Sequence, residues 1–96
     1  MLFAILCDDK AGGLDLRMST RPDHVAFLKG LGGTLKFAGP FLDGAENPCG
    51  SMLVIEADSA DAARALAAED PYAKAGLFER TEVRAWRWTI NNPEAP

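Results

Sequence analysis

The chain holds one histidine, His24, and two cysteines, Cys7 and Cys49, so few side chains are available for proton transfer, metal binding or nucleophilic attack. An imidazole takes up and releases protons near neutral pH, which makes His24 the first candidate for acid–base chemistry. It lies three and four residues before Phe27 and Leu28, on the apolar stripe of an expected helix, where a hydrogen-bonded structural histidine is the competing reading. One histidine and scattered acids do not make a zinc or other transition-metal shell, which draws several ligands from His, Cys and clustered carboxylates. No metal is therefore expected. The thiols are poor nucleophile candidates, because Cys7 falls inside an apolar run and Cys49 has no second histidine to activate it. Asp70, directly before Pro71, reads as a helix cap.

The elements that must position these residues follow from the pattern of apolar positions. Leu2-Phe3-Ala4-Ile5-Leu6-Cys7 is an unbroken apolar run ended by Asp8, Asp9 and Lys10, the signature of a strand buried on both faces. After Gly12-Gly13, the segment Ser19-Thr20-Arg21-Pro22-Asp23 has the composition of a helix start, and the helix is expected to run to about Leu31 before Gly32-Gly33 stops it. Thr34 to Ala38 predicts a second strand ended by Gly39-Pro40, and Asp43 to Gly50 a turn-rich connection. Ser51 to Ala57 predicts a third strand. Asp58-Ser59 then caps an alanine-rich helix with Ala62, Ala63, Leu66 and Ala67 along its apolar stripe, and Asp70-Pro71 breaks it and begins one more turn that Gly76 closes. The last strand is expected over about Arg80 to Ile90, with Val83 and Ala85 on one face and Trp86, Trp88 and Ile90 on the other.

The order βαββαβ predicts an α+β ferredoxin-like fold, a four-stranded antiparallel sheet with both helices on one face. One domain over residues 1–90 and a mobile tail over 91–96 are expected for a chain of 96 residues. The other face of the sheet lacks a cover, and its apolar strands with Trp86 and Trp88 predict a homodimer formed through it. A net charge of −4 without clusters of Lys or Arg argues against nucleic acid as a partner. Two cysteines without a CxxC point to a reducing compartment, and the first apolar run is too short for a signal peptide or membrane span, so a cytoplasmic protein with no membrane partner is expected.

Four segments, Arg21-Pro22-Asp23-His24-Val25-Ala26-Phe27-Leu28-Lys29, Ala38-Gly39-Pro40, Gly50-Ser51 and Asp70-Pro71-Tyr72-Ala73-Lys74-Ala75-Gly76, occur in the order and spacing of the YciI-like family, which the chain resembles over nearly its whole length. The resemblance implies the dimeric α/β-barrel form of the ferredoxin-like fold, shared with small monooxygenases and muconolactone isomerase. It also implies a His and Asp pair as the active site, here His24 and Asp70, with Ser51, Tyr72, Gly39 and Pro40 along a substrate pocket. For Ser51 and Tyr72 the competing readings are a strand-start residue and a core aromatic. One characterised relative is a dehydrochlorinase of a chlorinated hydroxyhydroquinone, so the implied substrate is a small cyclic or aromatic molecule.

In such a pair the carboxylate accepts one imidazole N–H, fixes the tautomer and steadies the imidazolium, while the other nitrogen takes a proton from substrate. The leading expectation is accordingly a cofactor-independent lyase or isomerase. A non-catalytic module that binds a small molecule or a larger partner in the same cleft is the alternative, and a cofactor-free monooxygenase a third. The loop Phe41 to Cys49 is not among the segments that carry the resemblance.

Overall fold

Apolar runs in the two central strands of the sheet, Leu2–Asp9 and Pro48–Glu56, set the layers in the computed structural model, which describes residues 1–95. The elements are β1 (Leu2–Asp9), α1 (Leu14–Gly30), a 3-10 turn (Gly32–Thr34), β2 (Leu35–Leu42), β3 (Pro48–Glu56), α2 (Ala60–Ala68), the single-turn α3 (Pro71–Lys74) and β4 (Phe78–Trp86). The sheet order is β2-β3-β1-β4 and every neighbouring pair is antiparallel, which is the ferredoxin-like arrangement. In register, Ile5 lies beside Leu53 and Val83, and Phe3 beside Ile55. These side chains, with Cys7, face the helices and form the core with Ala63 and Ala67 of α2. The methyl side chains of those alanines let α2 sit close to the sheet. Ser59 caps α2 by accepting the Ala62 N–H at 3.0 Å.

Boundaries of α1, β2, β3 and β4 differ from expectation. Helix α1 begins at Leu14 rather than Ser19, so Pro22 is inside it and His24 is in its third turn rather than its first. No side chain caps its start; the chain instead turns at Lys10–Gly13 and Arg17, in the first turn, is tied to Asp9 at the end of β1. Gly13 makes this turn possible, since a Cβ there would stand 2.9 Å from both the Lys10 carbonyl and Leu77 Cδ1.

Strand β2 continues through Gly39 and Pro40 to Leu42 instead of ending before them. It is an edge strand, where a proline's missing N–H breaks no ladder on the open side. Across the hairpin, β3 starts at Pro48 rather than Ser51, and Asp43 Oδ1 closes the turn by accepting the N–H groups of Ala45 and Asn47 at 2.9 and 3.0 Å.

Strand β4 stops at Trp86 rather than Ile90: Trp86 pairs with Leu2, the first residue of β1, and the carbonyl of Met1 before it accepts the Ala57 N–H instead. Trp88 and Ile90 therefore lie past the strand. The sheet face turned away from the helices is apolar over β1 and β3, with Leu2, Ala4, Leu6, Met52 and Val54, but charged over β4, with Arg80, Glu82 and Arg84. At one end Phe37 meets Trp86 and Trp88 edge-on at 5.8 and 5.0 Å. The segment after β4 then continues toward β2, where Glu94 pairs with Lys36 at 3.0 Å. Of the expected tail over 91–96, residue 96 lies outside the described residues. No helix among the described residues is long and apolar enough to cross a membrane.

Candidate functional site

Helix α1 stands over the β2–β3 half of the sheet and leaves a cavity of about 460 Å³ beneath it. Arg17, Arg21, His24 and Leu28 line one wall. Their spacing of four, three and four residues puts them on a single helix face. The opposite wall comes from the helix-facing side of the sheet, with Ala38, Gly39 and Pro40 of β2 and Ser51 and Leu53 of β3, and Tyr72 of α3 closes the end.

Four polar side chains are nearly lost to solvent here: Arg17 is 3 %, His24 9 %, Ser51 3 % and Asp70 2 % exposed. Burial of such groups is tolerated only when their hydrogen bonds are satisfied, and among the described residues no fully buried side-chain nitrogen or oxygen lacks a partner. His24 Nδ1 lies 2.8 Å from Asp70 Oδ1, which also accepts the Tyr72 N–H at 2.9 Å and so caps α3. An oxygen already accepting from the backbone is an acceptor toward the ring too, so Nδ1 carries the hydrogen. Nε2 has no partner among the described residues, and His24 is a cavity-lining residue. Asp70 stays behind the ring and does not line the cavity. The Tyr72 ring stacks on His24 with centroids 3.9 Å apart and planes 19° off parallel, which limits rotation of the imidazole.

Arg17 is the second fixed point. Its Nε and Nη2 donate to the two carboxylate oxygens of Asp9 at 2.6 and 2.9 Å, and Nη2 also donates to Ser51 Oγ at 2.8 Å. Its guanidinium carbon lies 4.5 Å from the centre of the Tyr72 ring. Burial works against the guanidinium charge, but the hydrogen bonds and charge of Asp9 outweigh it and raise its pKa above the ordinary value. Burial likewise raises the pKa of the Tyr72 phenol, opposed by the charges of Arg17 and Arg21, and keeps it neutral at physiological pH.

All six residues implied by the family pattern are thus at one place: His24, Ser51, Tyr72, Gly39 and Pro40 on the cavity wall and Asp70 directly behind it. Arg17 and Asp9 carry no sequence expectation. The available signal was the seven-residue step from Arg17 to His24, which is legible only if α1 is known to begin before Ser19. Cys7 is excluded as a nucleophile, because burial, opposed by the Thr81 hydroxyl contact, pushes its thiol up to about 11. No group of three or more potential metal ligands occurs among the described residues.

The model of a family described as the YCII-related domain matches residues 1–87. Protein YciI of Escherichia coli O6:H1 is 40% identical over 95 residues, spanning 91% of this chain and 97% of that protein. The structure of 5-chloro-2-hydroxyhydroquinone dehydrochlorinase from Burkholderia phenoliruptrix AC1100, in complex with 2,5-dihydroxybenzoquinone, superposes with a TM-score of 0.86 at 34% identity, over 96% of this chain and 99% of that chain. SnoaB, a cofactor-independent oxygenase from Streptomyces nogalater, shares the fold at a TM-score of 0.61 and 17% identity, over 95% and 97% of the two chains.

Proposed function

The chain belongs to the YCII-related domain family, and on that premise we propose that it is a cofactor-independent lyase or isomerase acting on a small cyclic or aromatic substrate. The observation that carries this reading is the buried 2.8 Å contact between His24 Nδ1 and Asp70 Oδ1 at the edge of a 460 Å³ cavity. In the proposed reaction His24 Nε2 takes a proton from a substrate carbon, and the C–H electron pair moves into the ring system. That pair then either expels a leaving group, which departs with its bonding electrons, or is reprotonated at another carbon by the same imidazolium. Asp70 is the positioning residue, since it fixes the tautomer and balances the imidazolium charge. Likeness to a dehydrochlorinase with a dihydroxybenzoquinone bound supports a ring-shaped substrate.

The test uses 2,5-dihydroxybenzoquinone as a probe. Exchange of its ring hydrogens in D₂O, followed by proton NMR, is expected to accelerate with the protein and to return to the buffer rate with His24→Ala. Equal rates with and without protein, or with and without His24, would refute the base. A non-catalytic binding module is the second reading, because the Asp70 cap and the Tyr72 stack already give the pair a structural role. It predicts a bound probe without exchange.

The protein is proposed to act as a cytoplasmic homodimer, with the second copy against the apolar strip of β1 and β3. Of that strip, Leu2, Ala4, Leu6 and Met52 are half-buried in the single chain and Val54 is buried. Sedimentation at micromolar concentration checks it, and a monomer would refute it.

A further inference from the structure

The cavity has an imbalance of charge that proton abstraction does not explain. Arg17, Arg21, Ser51 and Tyr72 all line it and all can donate hydrogen bonds. The neighbouring carboxylates do not line it: Asp9 is clamped by Arg17 and Asp70 is held by His24 and the Tyr72 N–H. Arg17 is therefore neutralised from behind the wall. Arg21, one turn further along the same face of α1, is exposed at the cavity edge and has no ion pair or side-chain hydrogen bond among the described residues. Its charge reaches the interior, since it opposes the burial-driven rise of the Tyr72 pKa. Ser51 adds a directed donor: its oxygen accepts from Arg17 Nη2, which turns its own hydrogen away from Arg17. Between these groups the walls are apolar, with Val25, Leu28, Leu53 and Pro40.

An apolar slot in which Arg17, Arg21, Ser51 and Tyr72 are donors, Asn47 can donate or accept, His24 Nε2 is the acceptor kept for the proton, and the one unanswered charge is positive suits a flat ring carrying an ionised oxygen. We infer that the substrate binds as an anion, a planar ring compound whose acidic hydroxyl or carboxyl oxygen is held by Arg21 and the Ser51 hydroxyl, which makes Arg21 the residue that selects substrate by charge. The inference rests on the proposed function only for the location of the site. Binding of an already ionised ring also keeps a second negative charge close to the imidazolium once His24 has taken its proton.

The experiment compares three probes of one ring size, 2,5-dihydroxybenzoquinone and benzoate as anions and hydroquinone as the neutral ring, against the parent protein, Arg21→Gln and Arg21→Lys. Affinity and location are read together from the His24 ring resonances by NMR. The parent is expected to bind at least one anion tenfold more tightly than hydroquinone, a difference of about 1.4 kcal/mol. Arg21→Gln is expected to lose about tenfold for that anion and less than twofold for hydroquinone, with Arg21→Lys recovering part of the loss as a point charge. Preference for the quinone assigns an enolic oxygen and preference for benzoate a carboxylate; either supports the inference. Hydroquinone binding as tightly as both anions, or Arg21→Gln weakening every probe equally, would overturn it while leaving His24-dependent exchange intact. No shift at His24 with any probe would overturn both this inference and the function it rests on.

Discussion

Removing the Asp70 side chain and removing only its charge should have different consequences, because one oxygen serves two donors. Oδ1 accepts from His24 Nδ1 at 2.8 Å and from the Tyr72 N–H at 2.9 Å, at a residue only 2 % exposed. Asp70→Ala deletes a helix cap, at about 1 kcal/mol. It also strands a buried imidazole N–H, at roughly 1–3 kcal/mol. The expected loss is therefore about 2–4 kcal/mol, which moves the urea midpoint by roughly 1 M or more at the slopes usual for small domains. Asparagine caps as well as aspartate, and the Tyr72 N–H selects its carbonyl oxygen over its amide, so the same oxygen still faces Nδ1. Asp70→Asn should accordingly remain within about 1 kcal/mol of the parent. Urea denaturation of the three proteins at one pH decides the matter. Asp70→Ala unfolding within half of one kcal/mol of the parent (about 0.5) would refute the satisfied-donor argument, and equal losses for both variants would show that the charge, not the oxygen, holds the site.

Other expectations follow from the same contacts. Arg17→Ala leaves the Asp9 carboxylate buried without its partner, and a loss of about 3–5 kcal/mol is expected in urea melts; a loss below about 1 kcal/mol would mean that water or another cation replaces the guanidinium. Gly50→Ala forces a Cβ to 2.4 Å from the Cys7 carbonyl between β1 and β3, so about 1–3 kcal/mol should be lost, and an unchanged melting temperature would contradict that spacing. Alkaline stability has a definite sign. Cys7 and Tyr72 are neutral when protonated and both have raised folded-state pKa values, so their contribution is complete below the unfolded values and is lost as pH rises through the folded ones, from 9 toward about 11 for Cys7 and above 10 for Tyr72. For Cys7 the loss is on the order of 2 kcal/mol by pH 11, measurable as a falling urea midpoint that Cys7→Ala flattens. A parent curve level across that range would refute it.

What the sequence alone determined is the topology and the list of family-implied positions. Strands without alternation in Leu2–Cys7 and Met52–Ile55, the Ser59 cap and the Asp70-Pro71 break are local signals, since each depends on a few neighbouring residues and on rotamer, capping or backbone preferences that act within one turn. They were enough to order the elements and to put His24 on an inward helix face. The start of α1, the reach of β2 through Pro40 and the end of β4 at Trp86 depend instead on what lies alongside: Asp9 for Arg17, an open edge for Pro40, the end of β1 for Trp86. The meeting of His24 with Asp70 across 46 positions, and the clamp of Arg17 between Asp9 and Ser51, likewise appear only when the sheet and helices are assembled. Tertiary structure decided these because a buried charge is stable only beside a specific partner, and chain separation gives no measure of which carboxylate the fold will bring within 3 Å of it.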